Sequence, residues 1–489
     1  MDIQQEIYKL LKTIGPGHMM NTAYDTAWVA RLSQIGESIG EQALAWLRAN
    51  QLPDGSWGAR EPLYHHDRVI CTLAAMTALA RRGRLSDRER LRRAEIALAD
   101  HIAGLSSDAS GETIGFEMIV PTLLHEAKQL GALHQDVSEV IDHLTPERRA
   151  KLSVLPQKMI SRFVTVAFSA EMAGLDGVNL LDVENLQERD GSVSYSPSAT
   201  AYFALDVRRK DPAALDYLRR VAPEGAAPNV APFDVFEQAW CLWNLSIAGA
   251  LDDHALALCQ PHLDFLEAAW TPDIGVGFVA DYAPKDGDDT SLVYDVFSRL
   301  GRECDLNTVL HYEGPYHFRG FDFESTPPLS ANVHILGALR QAGCTVQHPA
   351  VMKILRFLQA TQVHGAFWFD KWHSSPYYVT SHIIMVCVSY HSSLVESSVE
   401  WLLSTQRHNG SWGFYMPTAE ETAYCLQALA LWKLSGGNIP VTVLERGAAW
   451  LEAHIDEPYP PLWLGKCLYS PKLVIRSAIL SALMLMKRV

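Results

Sequence analysis

The sequence predicts an all-α protein built as two related α-helical barrels. Three observations lead there: a helix–turn–helix unit repeated early and late in the chain, apolar segments with helical spacing that end in glycine, and a scarcity of alternating strand patterns. The 489 residues are 48% hydrophobic and 20% charged, ample material for two or three cores.

Taken in chain order, MDIQQEIYKLLKTIG is a mixed polar and apolar opening helix with no long apolar core, so no signal peptide is expected. AWLRANQLPDGSWG at 45–58 follows and aligns without gaps on EWLLSTQRHNGSWG at 400–413. Trp46, Gln51, Gly55 and Trp57 match Trp401, Gln406, Gly410 and Trp412. Weaker copies are ENLQERDGSVSY at 184–195, with Gln187 and Gly191, and RFLQATQVHGAFW at 356–368, with Gln362 and Gly365. In each copy an apolar helix ends near the Gln, and glycine takes the turn. The Gln amide is placed to bond exposed backbone groups at helix ends. Between the copies, RVICTLAAMTALARRG, FEQAWCLWNLSIAG, NVHILGALRQAG and ETAYCLQALALWKLSG read as buried helices closed by Gly. Residues 93–112 and 221–234 are turn-rich linkers, not disordered tethers.

A net charge of −15 argues against nucleic acid and anionic membrane surfaces as partners. No stretch reaches the ~18 apolar residues of a membrane span, so stable membrane insertion is not expected. Eight scattered cysteines without a CxxC pair read as reduced thiols in a cytoplasmic protein.

The chemistry concentrates at PKDGDDTSLVYDVF, residues 284–297, where Asp286, Asp288 and Asp289 crowd the start of an apolar helix. Such a cluster caps a helix, holds a metal, or keeps one carboxyl protonated as an acid. The metal reading is the weakest, because Leu292 stands where a DDxxD motif needs its last Asp.

Seven blocks carry a family resemblance: NTAYDTAWVA (21–30), QLPDGSWG (51–58), GFEMIVPTLL (115–124), LQERDGSVSYSPSATAYFAL (186–205), PFDVFEQAW (232–240), DGDDTS (286–291) and PLWLGKCLY (461–469). Together they resemble class II diterpene cyclases, and bacterial halimadienyl (tuberculosinyl), kolavenyl and copalyl diphosphate synthases in particular. The resemblance implies paired α-helical double barrels, called β and γ. Residues 1–35 would supply the first helix of β, 36–252 the inserted γ barrel, and 253–489 the rest of β with the DxDD motif. It implies protonation-initiated cyclisation of geranylgeranyl diphosphate with the diphosphate kept. The product would pass to a separate class I terpene synthase or a phosphatase.

By the same resemblance Asp288 is the proton donor, with Asp286 and Asp289 raising or orienting its proton, and Asn332 a candidate hydrogen-bond partner. Trp368 and Tyr424 are candidate cation neighbours. Plant copalyl synthases carry a histidine where VTVAFSAEMAG (164–174) has Phe168, with Asn244 near its expected partner position. Phe cannot accept a proton, so the cation is expected to undergo hydride and methyl shifts toward kolavenyl or halimadienyl diphosphate. Lys466, Lys151 and Lys371 are the candidate diphosphate cations, and Glu117 and Glu112 the candidate ligands for Mg2+. Rival readings are an unrearranging copalyl synthase, a squalene-type triterpene cyclase, a carbohydrate-active helical toroid and a non-enzymatic scaffold.

Overall fold

A computed structural model describes residues 2–489 except 157, 158, 250, 323, 325, 391 and 457. Helices dominate, and among the described residues the only paired strands are two-residue pieces, Asn21–Thr22 with Ala227–Pro228 and Trp463–Leu464 with Leu468–Tyr469. The all-α expectation holds.

Two apolar cores form. Around the first, the helices Asp234–Ile247, Gly287–Arg299, Leu329–Gln341, Pro376–Cys387, Ala419–Leu434 and Lys472–Met486 pack each on the next, and the last returns to the first. These inner helices are buried nearly all round, as an enclosed ring requires. Ile3–Thr13 lies outside the ring with a single apolar stripe of Ile3, Ile7, Leu10 and Leu11. The second core is ringed by Ala23–Ala30, His65–Arg82, Phe116–Gln129, the 3-10 segment Thr165–Ala173 and Pro197–Tyr202.

The cores divide at different points from the expected boundaries. Ala23–Ile35 packs into the second core, and Val235–Ala248 into the first. The crossing point is the strand pair with Asn21 opposite Pro228, where the chain enters and leaves the second barrel side by side.

The repeat acts through hydrogen bonds. Trp57, Trp368 and Trp412 each donate Nε1 to a carbonyl ten residues earlier, Leu47, Leu358 and Leu402, at 2.8 Å in all three. Each backbone N–H of these tryptophans meets a Thr hydroxyl on the following helix at 3.0 Å. Gln51, Gln187 and Gln406 donate to the carbonyl four residues on, at 2.8–3.0 Å. One unit thus ties the end of an outer helix to the start of an inner one, satisfying groups that helix ends leave unpaired.

The hairpin Trp463–Tyr469 joins the barrels. Ile114 donates its N–H to Gly465 O at 2.8 Å, and Leu468 N–H reaches Asp67 Oδ1 at 2.8 Å. Cys467 is buried in the second core. No described helix is long and apolar enough to cross a membrane.

Candidate active site

The three aspartates open the helix Gly287–Arg299 at the mouth of the first barrel. Asp286 is its N-cap and accepts from Asp289 N–H at 2.7 Å. Gly287 has to be glycine, because a Cβ there would lie 2.6 Å from Arg319 O. That glycine lets the chain pass under the loop and deliver all three carboxylates to one place. None is more than 6% exposed. Burial, opposed by hydrogen bonds from Asp289 and augmented by the Asp288 charge, pushes the Asp286 pKa up to about 8. Burial, then Asp286 and Asp288, holds Asp289 well above the carboxylate range. Asp286 Oδ2 and Asp289 Oδ1 have no protein partner. One motif therefore combines a helix cap with buried carboxyls that burial keeps neutral.

Asp288 is engaged by His334 Nδ1 through one oxygen, Oδ1. The His334 Nε2 lies 3.0 Å from His382 Nδ1, and burial followed by His334 and His373 pushes the His382 pKa well below its usual value. The Trp240 ring stands edge-on to His334 with centroids 5.0 Å apart. This partner corrects the sequence expectation. Asn332 instead binds Phe318 N–H at 2.9 Å, Phe318 O at 2.9 Å and Pro328 O at 2.8 Å, fastening the preceding loop. Two helical positions are ~200° apart, so Asn332 and His334 of one helix face opposite ways. A histidine inside an apolar buried helix was the signal available in the sequence, in SANVHILGAL and again in SHIIMVC.

Above the acids lies a cavity of 160 Å³ between the barrels, walled by aromatic rings including Phe233, Phe236, Phe278, Trp463 and Tyr469. Phe168 lines it, as the sequence suggested. Trp368 and Tyr424 do not. Trp368 is one of the repeat staples, and Tyr424 binds Glu420 at 3.0 Å behind Trp463, which bonds the same carboxylate at 2.6 Å. Asn244 lies elsewhere in the first core, with Ser477 at 3.0 Å and Gln427 at 3.1 Å. The wall residues Phe233, Phe236, Trp463 and Tyr469 sit in PFDVFEQAW and PLWLGKCLY, but composition alone does not separate them from core aromatics.

Lys466 is also corrected. At the hairpin tip it is fully buried, with Glu171 at 2.6 Å and Ser196 and Ser198 at 2.7 Å each, and its Nζ lies 4.4 Å from the Phe168 ring centroid. All its donors are used, so it serves as an inter-barrel pin and not a diphosphate ligand. The other charged candidates do converge. Lys151 bonds Glu117 at 2.7 Å, and Glu112 lies in their field together with Glu147. Burial, then Glu117 and Glu147, raises the Glu112 pKa to about 7 against the pull of Lys151. Lys371 comes from the first barrel, donates to Thr326 O at 3.0 Å, contacts Glu324 and feels Lys151. Ile114 and Trp372, close in sequence to Glu112 and Lys371, line the cavity that ends on Asp288. A larger cavity of 770 Å³ lies on the second barrel and shares no lining residue with this one. Its carboxylates, Glu126 and Asp206, lie among Arg31, Arg81 and Arg148, and it does not reach the three aspartates, so its size does not locate the chemistry.

The squalene-hopene cyclase C-terminal domain family matches residues 323–458. The chain is 44% identical over 482 residues to a type B diterpene cyclase of Mycobacterium tuberculosis, covering 95% of both chains. It is 29% identical to the labda-7,13-dienyl diphosphate synthase of Streptomyces clavuligerus, over 96% of this chain and 89% of that protein. Its fold superposes on the ent-copalyl diphosphate synthase from Streptomyces platensis with TM-score 0.80, at 29% identity and complete coverage of both.

Proposed function

The chain belongs to the class II diterpene cyclases, enzymes of protonation-initiated cyclisation, and on that premise we propose that it cyclises geranylgeranyl diphosphate to a rearranged bicyclic diphosphate, kolavenyl or halimadienyl diphosphate. The observation that carries this reading is Asp288, held by His334 on one oxygen and set at the foot of an aromatic cavity.

Asp288 gives the proton on its other oxygen to the terminal alkene. His334, on the first oxygen, fixes the orientation of the carboxyl. The N-terminus of Gly287–Arg299 adds its dipole. Asp286 and Asp289, kept neutral by burial, let the site carry a single negative charge. The aromatic faces then stabilise the cation as rings close. Phe168 cannot take up a proton, so nothing at that position quenches the first bicyclic cation; hydride and methyl shifts proceed, and loss of one proton from the migrated cation forms the ring alkene of the product. Ligand sites of this size class fill ~300–1,000 Å³, so substrate entry requires side chains around the 160 Å³ cavity to turn aside.

Lys151 and Lys371 hold the diphosphate at the rim. Glu112 and Glu117 fit a magnesium ion, since hard oxygen donors shared with phosphate suit it and a cation would relieve their mutual repulsion. Mg2+ supplies charge neutralisation of the diphosphate when bound. The product retains its diphosphate and serves a class I synthase or a phosphatase.

The test is incubation with geranylgeranyl diphosphate and Mg2+, then mass spectrometry and NMR of the dephosphorylated product. A rearranged bicyclic alcohol is expected, without pyrophosphate release, and Asp288→Asn cuts turnover at least ~100-fold. Phe168→His shifts product toward unrearranged copalyl diphosphate or a hydrated relative. Wild-type enzyme making only copalyl diphosphate removes the rearrangement reading, and near-normal turnover in Asp288→Asn removes the acid.

A further inference from the structure

The 770 Å³ cavity that opens to solvent on the second barrel has a charge pattern that the cyclisation does not use. The cavity opens to solvent past Leu130 and Leu175, 39% and 64% exposed, and guanidinium groups line its deeper wall. Arg31, from the segment after the helix Ala23–Ala30, forms part of its wall and is 1% exposed. It donates to Glu126 at 3.0 Å and Thr77 at 2.5 Å, and its guanidinium lies 3.7 Å from the Trp28 ring centroid. Its Nε has no protein acceptor, an orphaned charged donor that costs free energy when buried. Arg81 leans on the same Glu126, so one carboxylate serves two guanidiniums. Arg148 meets neutral acceptors, Thr122 at 3.2 Å and Met172 O at 2.9 Å, and has no carboxylate partner among the described residues. Asp206 is the other carboxylate of the inner wall, and Asp176 sits exposed at the rim. Three guanidiniums thus face two inner carboxylates. Pro121, Leu130, Ala173 and Leu175 add apolar lining.

We infer that this cavity is a binding site for an amphipathic organic anion, a carboxylate or phosphate ester with an apolar body, held by Arg31, Arg81 and Arg148. Guanidinium forks match carboxylate and phosphate oxygens, and the volume exceeds what an inorganic ion fills. The site is separate from the catalytic one. Asp25, near the opposite end of the helix Ala23–Ala30, meets Asn229, which lines the catalytic cavity, while Arg31 lies beyond the C-terminal end.

Isothermal titration of the full chain with octyl phosphate, octanoate and inorganic phosphate tests this. Octyl phosphate or octanoate is expected to bind one-to-one, and inorganic phosphate more weakly. The better of the two apolar anions identifies the head group. Arg148→Gln weakens binding at least about tenfold, the scale of losing a part-buried charge partner, and Asp206→Asn tightens it. Turnover of geranylgeranyl diphosphate is unchanged in both. Absence of binding by the wild-type chain overturns the inference. So does wild-type affinity in Arg148→Gln, or a loss of binding in Lys371→Gln, which moves the event to the catalytic cleft. Should Arg148→Gln fail to fold, unchanged or weakened affinity in Asp206→Asn overturns it equally.

Discussion

A single imidazole orients Asp288, the acid of the proposed mechanism. On the proposed mechanism, His334 holds one oxygen and leaves the other for the alkene, so it positions the donor without touching substrate. His334→Phe, which removes the donor and keeps a ring, is expected to lower kcat about 100-fold, and His334→Asn to recover part of the loss. Equal activity in the two variants assigns His334 a packing role only. Asp286 sets the upper pH limit. Its pKa near 8 means that the carboxyl is neutral below that pH and ionises above it. A second negative charge beside Asp288 then makes proton release harder, so kcat falls as pH rises through about 8. A kcat that stays flat through roughly pH 9.5 rules this out. In Asp286→Asn the group cannot ionise, and the fall near pH 8 should disappear.

The repeated element is a hydrogen-bonded joint, and its energetics follow from burial. Trp412 is fully buried, and its indole N–H supplies Leu402 O with a partner. Trp412→Phe keeps most of the apolar area and leaves that carbonyl unpaired, a loss of ~1–3 kcal/mol. Urea unfolding should register the loss, while kcat of the folded enzyme stays at the wild-type value. A large kcat loss without a stability change gives the tryptophan a place in the reaction. Trp368 is expected to respond in the same way, because its joint has the same 2.8 Å bond and the same spacing. This is how a residue that reads as a cation neighbour in the sequence becomes a structural one: the local motif specifies its partner, Leu358 O, and neither residue lines the cavity.

At the scale of the molecule, the two barrels meet on the Trp463–Tyr469 hairpin, and Lys466 is its deepest point. Lys466 and Glu171 are both wholly buried, and Tyr24 also donates to Glu171 at 2.7 Å. Removing one member of a buried pair leaves the other uncompensated, at ~3–5 kcal/mol. Lys466→Met should therefore lower stability by about that amount, with KM for geranylgeranyl diphosphate little changed in the folded fraction. A raised KM with unaltered stability returns Lys466 to the diphosphate. The same hairpin carries Trp463 and Tyr469 into the cavity wall, so the contact that joins the barrels also shapes the cavity above the three aspartates.

The sequence alone determined what local chemistry controls. Helical periodicity, Gly-closed segments and the Gln–Trp repeat announced the all-α architecture, because each rests on bonds within some ten residues. Asp286, Asp288 and Asp289 were legible as a group because one helical turn brings them together. Glu112, Glu117, Lys151 and Lys371 were named through the resemblance, and the fold brings them within range of one another's charge. Tertiary structure decided the rest. The choice of His334 over Asn332 depends on which face of Leu329–Gln341 meets Gly287–Arg299, and both faces are buried. The pinning of Lys466 depends on Glu171, Ser196 and Ser198, more than 260 residues away in the chain. The barrels cross where Asn21 meets Pro228, which is likewise a pairing of segments far apart in the chain. Hydrophobic burial is non-directional, so it indicates that such residues are inside; the partner each one meets is fixed only when distant helices close into rings.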